Sequence, residues 1–352
     1  DKLESIQGPQ KVFIRQAVHR VHKNSERLGR LPKIVFAEGN SSKILKTIRN
    51  CIEEKICIPI LLGAADKIHE KAKTHNVDLT DIEIITPMYY PKFTFYVEEL
   101  YKRRQRKGVN IKEAERLMSD NNYFAAMMID QGDADGMING ATSNYAEAVR
   151  PILHTIGLAK DSVPSGLNIV LADNKLLFFA DTTVNFNPSA EQLARIAVQT
   201  AQVAEYFGQK PRIAMLSYSN FAGTEGTPAK MKKAAELAKQ LRPDLQIDGD
   251  MQADTAVSAE IQNRIFPFSG LQGEANVLVF PNLESANISY KLLQQIGKVE
   301  VLGPFLLGVR RAANVLQRTT TVETIFSSVV LTALESQFIH DWRSKKLESS
   351  PN

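Results

Sequence analysis

Three turns rich in small and hydroxyl side chains could bind an anion. They cover residues 139–143, 217–227 and 282–287, and each follows a short apolar stretch that predicts a strand. Backbone N–H groups at strand-to-helix junctions converge on phosphate or carboxylate groups. One such turn is common in any α/β protein, but three in one chain indicate a binding site for a small anionic ligand.

The other clusters of reactive side chains give weaker signals. The basic run at residues 102–107 contains no aromatic side chains, so we expect a solvated helix face rather than a nucleic-acid site. No pair of the six histidines has metal-ligand spacing, and His154, the only one near one of the three turns, is expected to be structural or on the surface. Three carboxylates at residues 248–254 do not fit an EF-hand calcium loop, so we expect a polar loop facing a cleft and no bound metal. The absence of GxGxxG, GxSxG and Walker A patterns argues against dinucleotide, hydrolase and P-loop sites.

The elements that must position the three turns alternate between strands and helices. Helical stretches of ten or more residues separate the predicted strands, which indicates βαβ units and a parallel sheet. One strand pair joined at Asp173-Asn174 predicts a hairpin. Ligands of such sheets bind at the carboxyl ends of the strands, where the three turns are expected. The predicted strands cover residues 33–37, 58–62, 82–86, 134–138, 167–172, 176–181, 212–217, 247–250, 277–280 and 300–302.

Length and composition indicate a globular protein of about two domains, since domains hold roughly 150 residues. The chain has 352 residues, of which 43% are hydrophobic and 23% charged. Its net charge of +4 favours anionic ligands but is too small for a dedicated nucleic-acid binder. Cys51 and Cys57 lack CxxC spacing, which fits a reducing compartment. Because no apolar run approaches the length of a membrane span and the sequence shows no signal-peptide core, we expect a cytoplasmic protein without a membrane partner.

The chain resembles the phosphate acetyltransferase family from about Lys33 to Gln337. The resemblance implies two α/β domains with mainly parallel sheets around an interdomain cleft. The first domain would be discontinuous, with residues 1–150 and 310–352, and the second would be inserted at 151–309. The matching stretches are Val35-Phe-Ala-Glu-Gly39, Pro59-Ile-Leu-Leu-Gly63, Gly132-Asp-Ala-Asp-Gly-Met137, Ala180-Asp-Thr-Thr-Val-Asn185, Ala214-Met-Leu-Ser-Tyr-Ser219, Asp248-Gly-Asp-Met-Gln-Ala-Asp-Thr-Ala256, Ala275-Asn-Val-Leu-Val-Phe-Pro281, Asn287-Ile-Ser-Tyr-Lys291 and Leu302-Gly-Pro304.

Two branches of this family differ in what they do with acetyl-CoA. Transacetylases move acetyl between phosphate and coenzyme A, whereas the same module in hybrid malic enzymes is similar to an acetyl-CoA sensor. The resemblance places a family arginine at Arg318, but the family serine is replaced by Gln317 and the family aspartate by Thr324. Threonine cannot accept the thiol proton as that aspartate would. Ser219-Asn220 also matches the malic branch, and Arg150 keeps the arginine that pairs with anionic oxygens, so the resemblance favours binding without turnover.

The resemblance therefore implies an acetyl-CoA-binding regulatory domain of a hybrid NADP-dependent malic enzyme, with no catalytic residues and with feedback inhibition as its expected effect. NADP and a divalent metal would belong to the malic enzyme domain of the same polypeptide, and this chain would form a homodimer or a larger homo-oligomer. The alternative is an active phosphate acetyltransferase, which converts acetyl-CoA and phosphate to acetyl-phosphate and CoA. The residues expected to bind acetyl-CoA are Thr142, Arg150, Ser219, Asn220, Tyr290, Lys291 and Arg318.

Overall fold

The structure, a computed structural model, describes residues 9–172, 175–271, 273–318 and 320–348. These residues belong to two units, which we call unit A (Ile14–Gly157 and the segment from Val309) and unit B (residues 9–13 and Leu158–Gly308). The segment Leu158–Gly308 of unit B is thus inserted between the two segments of unit A. The boundary expected at 150/151 would cut helix α7 (Tyr145–Thr155), which is continuous and lies wholly in unit A.

Unit A is built on a five-stranded sheet in the order β11-β4-β1-β2-β3, and all of its pairings are parallel. Its strands are β1 (Lys33–Phe36), β2 (Ile58–Leu62), β3 (Glu83–Ile85), β4 (Gly136–Asn139) and β11 (Ala312–Val315). Its helices are α1 (Pro9–Leu28, which begins in unit B), α2 (Ser42–Glu53), α3 (Ala65–Thr74), α4 (Phe93–Arg104), α5 (Ile111–Met118), α6 (Asn121–Gln131), α7 and α13 (Val322–Glu348).

The central strands of unit A are buried along nearly their whole length. Ile34, Val35 and Phe36 of β1 are fully buried, as expected for a parallel strand covered on both faces. Close packing also explains Gly136 of β4, because a Cβ atom there would lie 2.7 Å from Cγ2 of Thr332 on α13. Burial of both faces holds the strands rigidly and so fixes where their carboxyl ends lie.

Unit B is built on a mixed six-stranded sheet in the order β10-β5-β6-β9-β7-β8. The pairs β10-β5 and β5-β6 are antiparallel, and the remaining pairs are parallel. The strands are β5 (Ser165–Ala172), β6 (Lys175–Ala180), β7 (Arg212–Leu216), β8 (Gln246–Met251), β9 (Val277–Val279) and β10 (Glu300–Leu307). The helices are α8 (Ala190–Tyr206), α9 (Gly226–Leu241), α10 (Ala253–Ala256), α11 (Ala259–Ile265) and α12 (Leu283–Gln295).

The predicted fold class, α/β with mainly parallel sheets, is confirmed, but several elements differ from the prediction. Strand β10 runs five residues beyond the predicted Leu302, because it resumes pairing with β5 after an irregularity between Leu302 and Phe305. Strand β11 was not predicted. Helix α9 begins at Gly226, with Glu225 as its N-cap. The turn predicted at residues 173–174 lies outside the described residues.

One described segment, Val322–Asp341 of α13, is long and apolar enough to cross a membrane by length and composition. This was not anticipated from the apolar runs of the sequence. In its most apolar window the mean hydropathy is 1.2, and 61% of that window is buried inside the protein. Such burial is typical of a core helix, so the segment is weak evidence for a membrane span. The expected cytoplasmic location stays a prediction.

Candidate functional site

Three neighbouring strands of unit A bring their following loops to the same edge of the sheet. These strands are β11, β4 and β1, and parallel strands end at a common edge. Two hydrogen bonds continue the pairing into the loops: Ala37 N–H donates to the Ile138 carbonyl at 3.1 Å, and Leu316 N–H donates to the Asn139 carbonyl at 2.7 Å. Gly140 (φ +92°) lies so close that a Cβ atom there would be 2.6 Å from the Leu316 carbonyl oxygen. The loops around Glu38, Thr142 and Arg318 are therefore neighbours.

The loop at residues 139–143, predicted to bind an anion, already holds one from the same unit. The Glu38 carboxylate accepts hydrogen bonds from Ala141 N–H at 2.7 Å, Thr142 N–H at 2.9 Å and the Thr142 hydroxyl at 2.7 Å. Thr142 is exposed, but its two donors are directed at Glu38. The donors of this loop are thus directed at the side chain of Glu38, which was not among the predicted site residues. Binding of an anionic ligand at this loop stays a prediction.

Arg318 lies in the loop between β11 and α13, and Lys43 holds the backbone of that loop. The Lys43 ammonium donates to the carbonyl oxygens of Arg318 at 3.0 Å and Thr320 at 2.9 Å. Beside Arg318, Gln317 N–H donates to the Thr320 hydroxyl at 3.0 Å, and Thr320 N–H donates to the Gln317 carbonyl at 2.9 Å. The Arg318 side chain makes no hydrogen bond or ion pair with the residues that the structure describes.

Thr324, where the resemblance places the family aspartate, lies in the first turn of α13. Its hydroxyl is 3.1 Å from the hydroxyl of Thr321, and its N–H donates to the same Thr321 oxygen at 3.3 Å. The two threonines thus form the start of the helix and expose no carboxylate. Because a hydroxyl has a much higher pKa than a carboxyl group, this side chain cannot act as a general base near neutral pH.

Two arginines of unit A flank a tyrosine–histidine pair. Arg150 and His154 are four residues apart on α7, which places them on one helix face. His154 Nδ1 is 2.8 Å from the Tyr123 hydroxyl on α6. The pKa of His154 is lowered by burial and then by the positive charges of Arg104 and Arg150. The pKa of Tyr123 is raised by burial, against the lowering effect of the same arginines. The charges of both guanidinium groups therefore act on His154 and on Tyr123.

Neither arginine is neutralised within this group. Arg150 is exposed and makes no hydrogen bond or ion pair to any described residue, while the Nε atom of Arg104 is buried without a hydrogen-bond partner in the described part of the chain. A buried N–H without a partner costs about 1–3 kcal/mol, and guanidinium groups pair well with phosphate and carboxylate oxygens. This cluster of Arg104, Tyr123, Arg150 and His154, which we call the arginine cluster, can hold a phosphate-like anion.

The basic run at residues 102–107 is therefore only partly the solvated face that was predicted. Arg103 forms an ion pair with Asp130 at 2.6 Å and donates to the Thr155 carbonyl at 2.7 Å, which links the end of α4 to α7. Arg104 follows the buried Leu100 by four residues and so lies on the inward face of α4. That spacing could have identified Arg104 from the sequence.

Ser219 and Asn220 lie after β7 in unit B, in the second predicted loop. Ser219 N–H donates to the Ser217 hydroxyl at 2.9 Å. The Asn220 amide is paired twice with Gln252: its NH₂ donates to Oε1 at 2.9 Å and its oxygen accepts the backbone N–H at 2.8 Å. The loop is thus organised by its own side chains, and a ligand could use Asn220 only through its second N–H or at the expense of these bonds.

Tyr290 and Lys291 lie on α12 and have different environments. Tyr290 is only 5% exposed and packs in a core cluster with Phe179, Phe280 and other apolar residues. Its ring was expected to line the acetyl-CoA site, but it is covered by these core residues. Lys291 is exposed, and its ammonium lies 5.8 Å from the centroid of the Tyr290 ring. The segment at residues 282–287 also uses one of its own acceptors for a backbone donor, because the Asn282 side chain accepts a hydrogen bond from the Ser285 N–H at 2.9 Å.

The carboxylates at residues 248–254 do not form the polar loop that was predicted, because the segment up to Met251 belongs to strand β8. Asp248 lies 3.5 Å from the Lys239 ammonium and accepts a hydrogen bond from the Ser269 hydroxyl at 3.1 Å. Asp250 is fully buried, and its Oδ2 lies 3.4 Å from the Ser217 hydroxyl. Among the described residues, no group of three or more His, Cys, Asp or Glu side chains could hold a metal ion.

Comparison with known proteins adds independent information. Residues 13–333 match the family model described as phosphate acetyl/butaryl transferase. The phosphate acetyltransferase of Corynebacterium glutamicum is 36% identical over 307 residues, which cover 86% of this chain and 93% of that protein. A EutD phosphotransacetylase structure from Staphylococcus aureus superimposes with a TM-score of 0.84 and 30% identity, covering 91% of this chain and 99% of the other.

Some relatives are much longer than this chain. The phosphate acetyltransferase of Nitratidesulfovibrio vulgaris is 34% identical over 307 residues, which cover 87% of this chain but only 44% of that protein. The similar proteins named here are phosphate acetyltransferases or phosphotransacetylases, and the expected link to a hybrid malic enzyme is not shown by them. The match over most of the sequence and the shared fold establish the family: the chain belongs to the phosphate acetyl/butaryl transferase family.

Proposed function

We propose that this chain binds acetyl-CoA and phosphate and transfers the acetyl group between them, at a reduced rate. The observation that carries the proposal is the arginine cluster, in which Arg104 and Arg150 have no anionic partner among the described residues. Acetyl-CoA and phosphate are both anions, and two unpaired guanidinium groups supply the charge-assisted hydrogen bonds that such ligands need. The similarity to phosphate acetyltransferases supports the same reaction.

In the transfer, a phosphate oxygen attacks the thioester carbonyl carbon, the C–S bond breaks, and the CoA sulfur leaves with the bonding electron pair as a thiolate. The products are acetyl-phosphate and CoA. Negative charge accumulates on the carbonyl oxygen and then on sulfur, so nearby guanidinium groups lower the barrier by stabilising the transition state more than the reactants. Arg318 is the third arginine proposed to contribute here. The arginines need no metal ion for this role.

The reduced rate follows from Thr324. The resemblance places an aspartate at this position as the base for the CoA thiol, whose pKa is close to the 8.5 of a free cysteine. Without a base the reverse reaction depends on the fraction of CoA already present as thiolate, and in the forward reaction the leaving thiolate is protonated by water. Loss of a positioned general base lowers rates by about 10²–10⁴, which is the deficit we propose relative to relatives that have the aspartate.

A second candidate function is favoured by the same two substitutions. Gln317 and Thr324 would fit an acetyl-CoA-binding regulatory domain of an NADP-dependent malic enzyme, in which binding and not turnover is retained. In that protein acetyl-CoA would act as a feedback inhibitor, and NADP and a divalent metal would bind to the separate malic enzyme domain. The similar proteins support transfer better than regulation, so this function is placed second.

One experiment separates the two functions. Calorimetric titration with acetyl-CoA measures binding, and release of free thiol from acetyl-CoA in the presence of phosphate measures transfer. Binding together with slow, phosphate-dependent thiol release supports the proposed transferase. Binding without any phosphate-dependent release supports the regulatory domain. If acetyl-CoA does not bind, both functions are wrong.

We also propose that the chain self-associates, as expected from the resemblance. Helix α12 and its C-cap residue expose an apolar stripe at helical spacing, formed by Ile288, Leu292 and Ile296, which are 57%, 52% and 78% exposed. Contiguous apolar patches on the surface commonly mark protein interfaces. Sedimentation velocity of the wild type and of Leu292→Glu tests this: the wild type should sediment as a dimer or larger species and the variant as a monomer.

A further inference from the structure

The loop after β1 and the first turn of α2 contact the two neighbouring loops at the carboxyl edge of unit A. At one end, Glu38 accepts three hydrogen bonds from Ala141 and Thr142, at 2.7–2.9 Å. At the other end, Lys43 donates to the carbonyl oxygens of Arg318 and Thr320. The contacted residues are more than 100 and more than 270 positions away in the chain, so these side chains are tertiary links and not local caps.

The Lys43 ammonium is directed entirely at the loop that carries Arg318. Its hydrogen bonds are the two to backbone carbonyls, and it forms no ion pair within the described residues. One ammonium bonded to two carbonyl oxygens restricts the backbone of this loop at Arg318 and at Thr320. Thr47, one helical turn later on α2, reinforces this contact, because its hydroxyl lies 3.4 Å from the Val322 carbonyl oxygen.

The loop that carries Glu38 and leads into α2 is itself held rigidly. A Cβ atom at Gly39 would lie 2.7 Å from the Leu62 carbonyl oxygen and 2.9 Å from Cδ1 of Ile68, so the backbone at Gly39 is packed against β2 and α3. Gly39 N–H also donates to the Leu62 carbonyl at 3.1 Å. Side chains on a rigid loop can hold neighbouring loops in a fixed position, whereas side chains on a mobile loop could not.

We propose that Lys43 and Glu38 are positioning residues: Lys43 fixes the loop from which Arg318 contacts acetyl-CoA, and Glu38 fixes the adjoining loop at Thr142. The inference rests on the proposed function for its ligand, but the positioning itself is independent of it. Arg318 reaches its ligand from a loop whose conformation is restrained by Lys43, and Thr142 is oriented by the Glu38 carboxylate. Lys43 and Glu38 thus act through the loops that they hold and do not touch the substrate themselves.

Hydrogen exchange of the ligand-free protein tests the positioning directly. Lys43→Met removes the ammonium and keeps an unbranched side chain, so the amides of Gln317 and Thr320 should exchange at least about tenfold faster than in the wild type, because local opening costs less free energy. Lys46→Met, at an exposed position of the same helix, is the matched control and should leave these amides unchanged. Unchanged exchange in Lys43→Met overturns the proposal for Lys43. Faster exchange of Thr142 N–H in Glu38→Gln is expected likewise, and its absence overturns the proposal for Glu38.

A double-mutant cycle tests whether Lys43 acts through Arg318. Lys43→Met should weaken acetyl-CoA binding about tenfold in the wild-type background and hardly at all in Arg318→Ala, because coupled residues give non-additive effects. Lys43→Arg, which keeps the charge and the donors, should restore most of the affinity. Additive effects would show that Lys43 contacts the ligand itself, and would overturn the positioning role. If the wild type does not bind acetyl-CoA, the proposed function fails, while the exchange measurements still decide whether Lys43 positions the loop.

Discussion

Glu38 and Thr142 are joined by two hydrogen bonds, with the backbone N–H and the hydroxyl of Thr142 both donating to Oε1 of Glu38, at 2.9 and 2.7 Å. The turn that resembles an open phosphate-binding loop is thus closed by a carboxylate from the loop after the neighbouring strand β1. An anion added at this turn would be repelled by the Glu38 carboxylate, and the two donors of Thr142 are already bonded to that carboxylate. An anionic ligand is therefore better held at the arginine cluster, where the positive charge is not neutralised.

Phosphate binding at the arginine cluster should raise the pKa of His154. The positive charges of Arg104 and Arg150 lower this pKa in the free protein. A bound anion offsets those charges and favours the protonated ring, by about one pH unit. Titration of the ring by NMR with and without saturating phosphate measures the change, and His154→Gln assigns the signal.

A matched variant distinguishes charge from conformation at this cluster. Arg150→Gln should raise the pKa of His154 without phosphate, because one positive charge is lost, and should reduce the further rise when phosphate is added. A pKa that is the same with and without phosphate in the wild type would mean that the anion binds elsewhere.

Restoring the family residues at positions 317 and 324 should increase acetyl transfer. We expect the double variant Gln317→Ser/Thr324→Asp to release thiol from acetyl-CoA at least about tenfold faster than the wild type. The carboxyl group that accepts the thiol proton in the reverse reaction returns it to the leaving thiolate in the forward reaction, and such positioned proton transfer contributes about 10²–10⁴. Thr324→Asp alone need not suffice, because Gln317 also departs from the family pattern. The control is Gln317→Ser/Thr324→Asn, which has nearly the same shape but no base. Equal rates in the two double variants would contradict the role given to a carboxylate here.

Much of the fold could be predicted from the sequence, because buried parallel strands are runs of branched apolar residues. Residues 33–36 and 58–62 are of this kind, and both were predicted within one residue. Strand β11 was missed because Ala312-Ala-Asn-Val315 has little strand propensity of its own and is stabilised by pairing with β4. Tertiary pairing decides such a segment, and its sequence alone does not.

The candidate site was harder to predict than the fold. Arg150 and Arg318 were selected from the resemblance. Arg104 was not selected, because it belongs to a run of basic residues that was predicted as a whole to be a solvated face of the helix. Glu38 was overlooked because its partner Thr142 lies 104 positions away. Tyr290 was predicted to line the binding site because it belongs to a motif that matches the family. Its burial depends on neighbours that are distant in the sequence, such as Phe179, and the motif does not reveal them.

Tyr290 should contribute to stability, whereas the adjacent Lys291 should not. Tyr290 is buried among aromatic and aliphatic side chains, and removing a large buried aromatic ring costs about 3–5 kcal/mol. We therefore expect Tyr290→Ala to lower the free energy of unfolding by about that amount, while the exposed Lys291→Ala changes it by less than about 0.5 kcal/mol. Urea denaturation of the three proteins measures both. A small effect of Tyr290→Ala would restore this residue as a candidate for ligand contact.

Stability should fall as the pH rises through neutrality, because of Glu335 on α13. Although the residue keeps some exposure, its carboxyl group is enclosed by protein, and this burial raises its pKa to about 8. In the unfolded chain the group ionises near 4.5, so between pH 4.5 and 8 the folded state binds more protons than the unfolded state. The free energy of unfolding therefore decreases with increasing pH across this window.

Glu335→Gln removes the ionisation and keeps a polar side chain beside Asn314, whose amide lies 3.4 Å from the carboxylate. At pH 7 this variant should be more stable than the wild type by on the order of 1–3 kcal/mol, with the difference vanishing below pH 4.5. Thermal unfolding of both proteins from pH 4 to 9 measures it, with the exposed Glu323→Gln as the control. A stability difference that does not change with pH would show that Glu335 ionises normally.

The most direct test of the central claim is calorimetric titration of acetyl-CoA into the wild type and two arginine variants of the same basic run. We expect binding in the micromolar range, about −8 kcal/mol, at least about tenfold weaker binding in Arg104→Gln because a charge-assisted contact is lost, and unchanged binding in the exposed Arg106→Gln. Equal affinities in the wild type and Arg104→Gln, or no binding by the wild type, would contradict the assignment of the arginine cluster as the acetyl-CoA site.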